Sequence, residues 1–174
     1  MKIYLQNPEK TQIVVFDKEN QIGAGFINWI KLSEDEITQY LLKEAKNKKL
    51  TDLSKFYDSK ECWTYTLFSN LTKTYASLTK DAYFFGRCLP AGAGNKLSIT
   101  TDNNIVVEYD LSVEKAQILN FQINIVNGEE IKRKKLELEN KIAIATNIEI
   151  IDSIDIKTEL LNSVERNIDL DKFN

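Results

Sequence analysis

The sequence predicts an α+β fold: an N-terminal hairpin and a long helix, central β-hairpins, then C-terminal helices. Three observations carry that expectation. Short runs of β-formers bounded by turn residues occupy the beginning and middle of the chain. A capping box at Ser33 opens a long stretch of helical spacing. Strands and helices are grouped, without the strict strand–helix alternation of a parallel α/β sheet.

Ile3 to Gln6 and Gln12 to Phe16 read as paired strands around the turn Asn7-Pro8-Glu9-Lys10. Asp17-Lys18-Glu19-Asn20 is a second turn, and Phe26 to Ile30 is rich enough in β-formers for a further strand. In Ser33-Glu34-Asp35-Glu36 the Ser33 hydroxyl accepts from the Glu36 N–H while the Glu36 carboxylate reaches back, with three acids at the positive end of the helix dipole. The helix then runs from Glu34 to about Asp58. Ile37, Leu41, Ala45, Leu53 and Tyr57 lie near one face, and Lys43, Lys46, Lys48, Lys49 and Lys55 largely off it.

Cys62 to Phe68 alternates as a half-buried strand does. Leu78 to Leu89 reads as a short helix stopped by Pro90, followed by the loop Ala91 to Asn95. Leu97–Thr101 and Ile105–Tyr109, joined by Asp102-Asn103-Asn104, form a hairpin. Asp110 or Ser112 caps a helix with apolar positions Val113, Ala116, Leu119, Ile123 and Val126, broken or kinked at Asn127-Gly128. Ile131, Leu138, Ile142 and Ala145 continue a helical face, and the tail from Asn147 suggests one or two docked helices. The 174 residues fit one domain, or two small ones, 1–60 and 61–174, sharing a surface.

Composition narrows the function. A net charge of −3 creates no overall basic field, so direct nucleic-acid binding and adhesion to an anionic membrane are not expected. The apolar opening Met1 to Leu5 is too short for a signal peptide, and no stretch approaches the ~20 apolar residues of a membrane span. The two cysteines, Cys62 and Cys88, lack Cys-x-x-Cys spacing and read as thiols in a reducing cytosol. With 0 histidines, no imidazole acid–base, Ser-His or metal-His chemistry is possible.

The remaining candidate chemistry is thin. Gly23-Ala24-Gly25 and Gly92-Ala93-Gly94 lead into a strand and a hairpin, not into the helix N-terminus that a phosphate cradle needs. Asp102, Glu108 and Asp110 offer carboxylates near one hairpin, but Asp102 suits a turn and Asp110 a helix cap. Lys132-Arg133-Lys134-Lys135 is the densest basic run. Glu129 and Glu130 precede it at ion-pair spacing and Glu137 and Glu139 follow, so a self-neutralised face competes with a phosphate-binding one. Glu149 to Asp171 holds seven acids against two bases, an acidic surface for a basic partner or the wet side of amphipathic helices. Tyr83-Phe84-Phe85 spans some 200° of a helix, so at least one ring is expected partly in solvent beside Arg87. Aromatic residues next to Arg have the composition of a protein–protein hot spot. The candidate partner-binding residues are therefore Tyr83, Phe84, Phe85 and Arg87, with Lys132, Arg133, Lys134 and Lys135 as a second set. No catalytic residue, metal or cofactor is expected.

The segment from Tyr40 to Glu61, a lysine-rich helix closing in Leu53-Ser54-Lys55-Phe56-Tyr57-Asp58-Ser59, resembles a family of small tailed-phage and prophage proteins of unknown function. Their genes often lie near tail-fibre genes, and their members are described as tail-associated or tail-fibre-assembly proteins. The opening Met1 to Pro8 resembles it too, and Ser77 to Ala82, Leu97 to Leu111 and Ile148 to Asp155 follow it more loosely. Ser77 stands where that family usually carries a tryptophan. The resemblance implies a non-enzymatic protein in the host bacterial cytoplasm or the virion, with a phage tail component as partner. An alternative is a small acidic inhibitor of a host defence nuclease, such as a CRISPR effector, presenting carboxylates to a basic groove.

Overall fold

The computed structural model describes residues 2–71, 73–79, 96–100, 104–110, 117–119 and 121–173. It is an α+β protein. Strands β1 (Ile3–Gln6), β2 (Ile13–Phe16) and β3 (Ile30–Lys31) form an antiparallel sheet in the order β2-β1-β3. Asn7 builds the first turn, its side-chain oxygen accepting from the Thr11 and Gln12 amides at 2.9 and 2.8 Å. That leaves Lys10 in the left-handed region at φ 58°.

The strand expected over Phe26–Ile30 is only Ile30–Lys31. A single 3-10 turn, Ala24–Phe26, precedes it. Phe26 meets Phe16 and Trp29 edge-on at 5.1 and 4.9 Å. Rings three residues apart share a side on a turn but point to opposite faces of a strand, so this aromatic cluster fixes the turn.

Helix α1 (Glu34–Tyr57) begins at the expected capping box. Ser33 N–H donates to the Glu36 carboxylate at 2.8 Å, and Glu36 N–H to the Ser33 hydroxyl at 3.3 Å. These bonds hold the Glu36 carboxyl below its usual range. The buried stripe differs from the expected one. Leu41 is exposed, Leu42 is half-buried, and Leu53 alone on α1 is fully buried. Lys46 does not lie off the face: it is half-buried, and its ammonium donates to the Ala143 carbonyl at 2.7 Å.

Strand β4 (Thr64–Ser69) pairs antiparallel with β5 (Thr74–Thr79) over six residues. Leu78 and Thr79 thus belong to a strand, not to the helix expected from Leu78 to Leu89, nor to a cap opening at Ser77. The β-formers Thr74, Tyr75 and Thr79 suit this strand, which is in register with all six positions of β4 from Thr64↔Thr79 to Ser69↔Thr74. The rest of that expected helix, 80–89, lies outside the described residues. So does the Ala91–Asn95 loop. β6 (Lys96–Thr100) and β7 (Val106–Asp110) form the expected hairpin. Asp110 closes β7, and Ser112, Val113 and Ala116 lie outside the described residues.

The anticipated break at Asn127-Gly128 is instead a junction. A π-helical stretch, Gln122–Asn127, runs directly into α2 (Gly128–Ile144), with Gly128 in ordinary helical geometry at φ −63°. Leu119 and Ile123 are buried as expected, and the wider turn brings Asn127 inside and leaves Val126 exposed, against the expectation for Val126. α3 (Ile148–Asp152) and α4 (Ile156–Leu161) follow, capped by the side chains of Asn147 and Asp155. Leu53 and Cys62 pack with Ile131, Leu138, Ile142, Ile154 and Leu160 in one cluster, joining α1 to the C-terminal helices.

A last strand, β8 (Asn167–Asp169), was not anticipated and pairs parallel with β4. The chain reaches it through a turn in which Val164 N–H donates to the Leu161 carbonyl at 3.2 Å. Asn162 (φ −61°, ψ 141°) and Ser163 (φ 73°) give this turn type II geometry, whose third position favours glycine. Ser163→Gly is expected to raise unfolding stability by about 1 kcal/mol, strain relief at positive φ outweighing the added freedom of the unfolded chain. A shift in urea midpoint at unchanged slope will measure it.

Candidate protein-binding surface

The basic run on α2 is paired along its length. Lys132 meets Glu129 at 2.7 Å, and Arg133 bridges Glu130 at 2.6 Å and Glu137 on the next turn. Lys135 meets Glu139 at 2.5 Å and lies over the Tyr57 ring. Lys134 donates to the Asn162 side chain at 3.1 Å. Exposed pairs of this kind add little stability, but they cancel the field a phosphate would need.

The acidic C-terminal segment is similarly engaged. Glu159 takes Lys141 at 2.7 Å, Glu165 faces Lys172 at 3.6 Å, and Asp155 caps α4. Asp171 accepts from the Ser69 hydroxyl at 2.5 Å and from the Asn70 and Leu71 amides at 2.8 and 3.1 Å. The Ser69 hydrogen bond is the first cause holding its carboxyl below the usual range. The segment's carboxylates thus stitch the fold together, as well as charging its surface.

Glu108 and Asp110 sit two residues apart on β7, and Asp102 lies outside the described residues. Among the described residues, no group of three or more Cys, Asp or Glu side chains converges to hold a metal. A side chain at Gly23 or Gly25 would meet open space, so neither glycine marks a close approach of backbone to a ligand. Among the described residues, one cleft of about 220 Å³ lies between α2 and α4 and another of about 260 Å³ between α1 and the first sheet. The first contains the Lys141–Glu159 pair, and the second contains Glu36, already committed to its cap.

Trp63 and Tyr65 are taken up by the fold. The Trp63 indole N–H donates to the Tyr57 carbonyl at 2.7 Å, and the buried Tyr65 hydroxyl reaches the Ile123 carbonyl at 3.5 Å. Burial pushes the Tyr65 phenol up to about 12 and the Cys62 thiol up to about 11, with the nearby Arg166 cation opposing both. Tyr83, Phe84, Phe85 and Arg87, the first expected contact set, lie outside the described residues. Cys88 and the second glycine cluster lie there too.

A different apolar surface emerges. Ile118, Phe121 and Ile125 are 51%, 56% and 50% exposed, at spacings of three and four along residues 117–127. The opposite side of the same segment, Leu119 and Ile123, is fully buried. Val126 is partly exposed as well, and no charged residue stands among the described positions from 117 to 127. Of the expected core face Val113, Ala116, Leu119, Ile123 and Val126, the structure buries Leu119 and Ile123, and the sequence expectation assigned no role to the reverse of that face. The available signal was a helix apolar on both sides, which has to bury one face in the fold and the other elsewhere. No helix among the described residues is long and apolar enough to cross a membrane.

The chain matches no family model, no curated protein and no solved structure.

Two outcomes follow from this geometry. In a Cys88→Ser background, Cys62 is expected to resist a thiol reagent at pH 8 in the folded protein and to react fully in urea, since the thiolate fraction is small and the sulfur buried. For Asp171 the folded pKa lies below the unfolded value of ~3.9, so its contribution is complete above that value and fades as pH falls through the lowered one. Urea midpoints for the native chain and Asp171→Asn are expected to differ by a constant amount above about pH 5 and to converge in acid.

Proposed function

We propose that the protein performs no catalysis and acts by binding another protein through the exposed face of Ile118, Phe121 and Ile125. The observation carrying this reading is an uncharged apolar stripe on a helix whose other side is already committed to the core. Apolar exposure of this kind, with aromatic and branched aliphatic members, characterises interaction sites more than ordinary surface. The charged side chains support it from the other direction, because the basic run is locally neutralised.

The partner we propose is a phage tail or tail-fibre component, met in the host cytoplasm during assembly or retained in the virion. The resemblance of Met1–Pro8 and Tyr40–Glu61 to tail-associated phage proteins carries that assignment. An inhibitor of a host defence nuclease would rely on free carboxylates offered to a basic groove. Several acids of the C-terminal segment are spent on internal bonds, which favours the tail partner.

The test is affinity capture from phage-producing cells with the native chain, Phe121→Asp and Ile125→Asp, followed by binding measurements on the captured protein. A tail protein retained by the native chain and weakened at least ~30-fold by either substitution is expected, an anchor residue being worth about 2 kcal/mol or more. Both variants keep native circular dichroism on this reading, since both positions are half in solvent. Capture of a nuclease would replace the tail assignment. Binding indifferent to both substitutions would place the interface elsewhere.

A further inference from the structure

The segment Val164–Phe173 is attached to the body by contacts that an identical segment could reproduce. β8 lies beside β4 in the register Thr66–Asn167, Leu67–Ile168, Phe68–Asp169. Ile168 and Leu170 drop into the core at 3% and 2% exposure. Arg166 grips the carbonyls of Thr64, at 3.0 and 2.5 Å, and Glu61, at 2.5 Å. The Glu165 carbonyl accepts from the buried Asn127 amide at 2.6 Å. Asp171 then closes over the β4–β5 turn. The segment Val164–Phe173 is thus a strap with apolar anchors, a cationic clamp at one end and a carboxylate clamp at the other. It is tied to the helices by a turn that puts a serine at φ 73°.

We propose that the β4 edge accepts the Val164–Phe173 strap of a second copy in place of its own, so that two chains exchange straps and form a closed dimer. The occupant is argued from the edge itself. β4 is already fitted to this sequence in register, in apolar spacing and in the polarity of both ends. A partner strand has to match all three, and a second copy does so at no cost in complementarity. Exchanged and unexchanged forms make the same contacts on either side of the hinge. The balance therefore rests on the turn at Asn162–Ser163 and on concentration. Extending that turn releases the positive φ at Ser163, and strained short hinges favour exchange for this reason. Opening requires Ile168 and Leu170 to leave the core, so exchange is slow. The inference goes beyond the tail-protein reading and uses none of Ile118, Phe121 or Ile125, so either can fail alone.

The full chain is held at millimolar and at micromolar concentration for several days and its mass in solution followed by light scattering. In parallel, a fluorescent peptide with the sequence Val164–Lys172 is titrated onto the full chain. A dimer that forms slowly when concentrated, reverts on dilution and is suppressed by excess peptide is expected. Peptide binding is expected to fall at least tenfold when the positions of Ile168 and Leu170 carry Asp. Ser163→Gly, which relaxes the turn, is expected to lower the dimer fraction at least threefold. A chain that stays monomeric throughout overturns the proposal, whether or not the peptide binds. So does a dimer insensitive to both the peptide and Ser163→Gly, which would be held by another face. Equal binding of an unrelated alternating strand peptide overturns it as well.

Discussion

Helix α1 carries so many charged residues that Leu53 is its only fully buried side chain, and what surrounds Leu53 determines whether the helix has a place to lie. That surround is supplied almost entirely from the far end of the chain. Ile131, Leu138 and Ile142 come from α2, Ile154 and Leu160 from the segments after it, and Cys62 from the turn that follows α1. Each such side chain contributes roughly 1.5–3 kcal/mol by leaving water, more than propensity alone gives a lysine-rich helix. Lys46 adds a second tie by satisfying the Ala143 carbonyl near the C-terminal end of α2. The N-terminal sheet is thereby anchored through α1, with Tyr4 against Tyr40 at 6.0 Å.

The same cluster dictates how β4 is used. Cys62 is in the cluster, and β4 begins two residues later, so its buried side chains Tyr65 and Leu67 continue inward from a fixed point. One edge of β4 is taken by β5, and the other by the returning β8. The π-helical stretch belongs to this arrangement. By widening the helix it turns Asn127 inward, where its side chain accepts from Gln122 at 3.1 Å and donates to the Glu165 carbonyl at 2.6 Å. A buried amide without those partners would cost about 1–3 kcal/mol. With them it sets where the strap leaves the helical layer and enters the sheet.

Those relations explain what could be read from the sequence. The capping box at Ser33 and the hairpin turn at Asn7 are local devices, complete within a few residues, and both are found where the residue types put them. The α2 ion pairs are local in the same sense, since spacings of three and four along a helix fix the neighbours. Strand β8 was not legible because its three residues acquire meaning only beside β4, about a hundred positions earlier. The alternation in Asn167-Ile168-Asp169-Leu170 was present, but too short to separate a strand from a loop. Leu41 stands outside the buried stripe of α1 because that stripe is narrow and shared with half-buried lysines, so apolar identity alone does not locate it. The exposed face at 117–127 was hidden by a different effect. A helix apolar on two sides gives a valid core face whichever side is chosen, and the wider π turn then puts Asn127 inside in place of Val126.

Charge also shapes what kind of recognition is available. Pairing within α2, between α2 and α4, and from Asp171 to the β4–β5 turn leaves much of the ionic inventory engaged at short range. Long-range steering needs one sign of charge gathered on a surface, and alternating acids and bases on one helix screen each other within a Debye length of ~8–10 Å. Association through Ile118, Phe121 and Ile125 would then draw on apolar burial and shape, with an unsteered on-rate near ~10⁵–10⁶ M⁻¹s⁻¹ and little dependence on salt. Affinity in that regime is set by how completely the two faces exclude water. The same holds at the β4 edge, where Ile168 and Leu170 supply the burial and the polar clamps at either end fix the register.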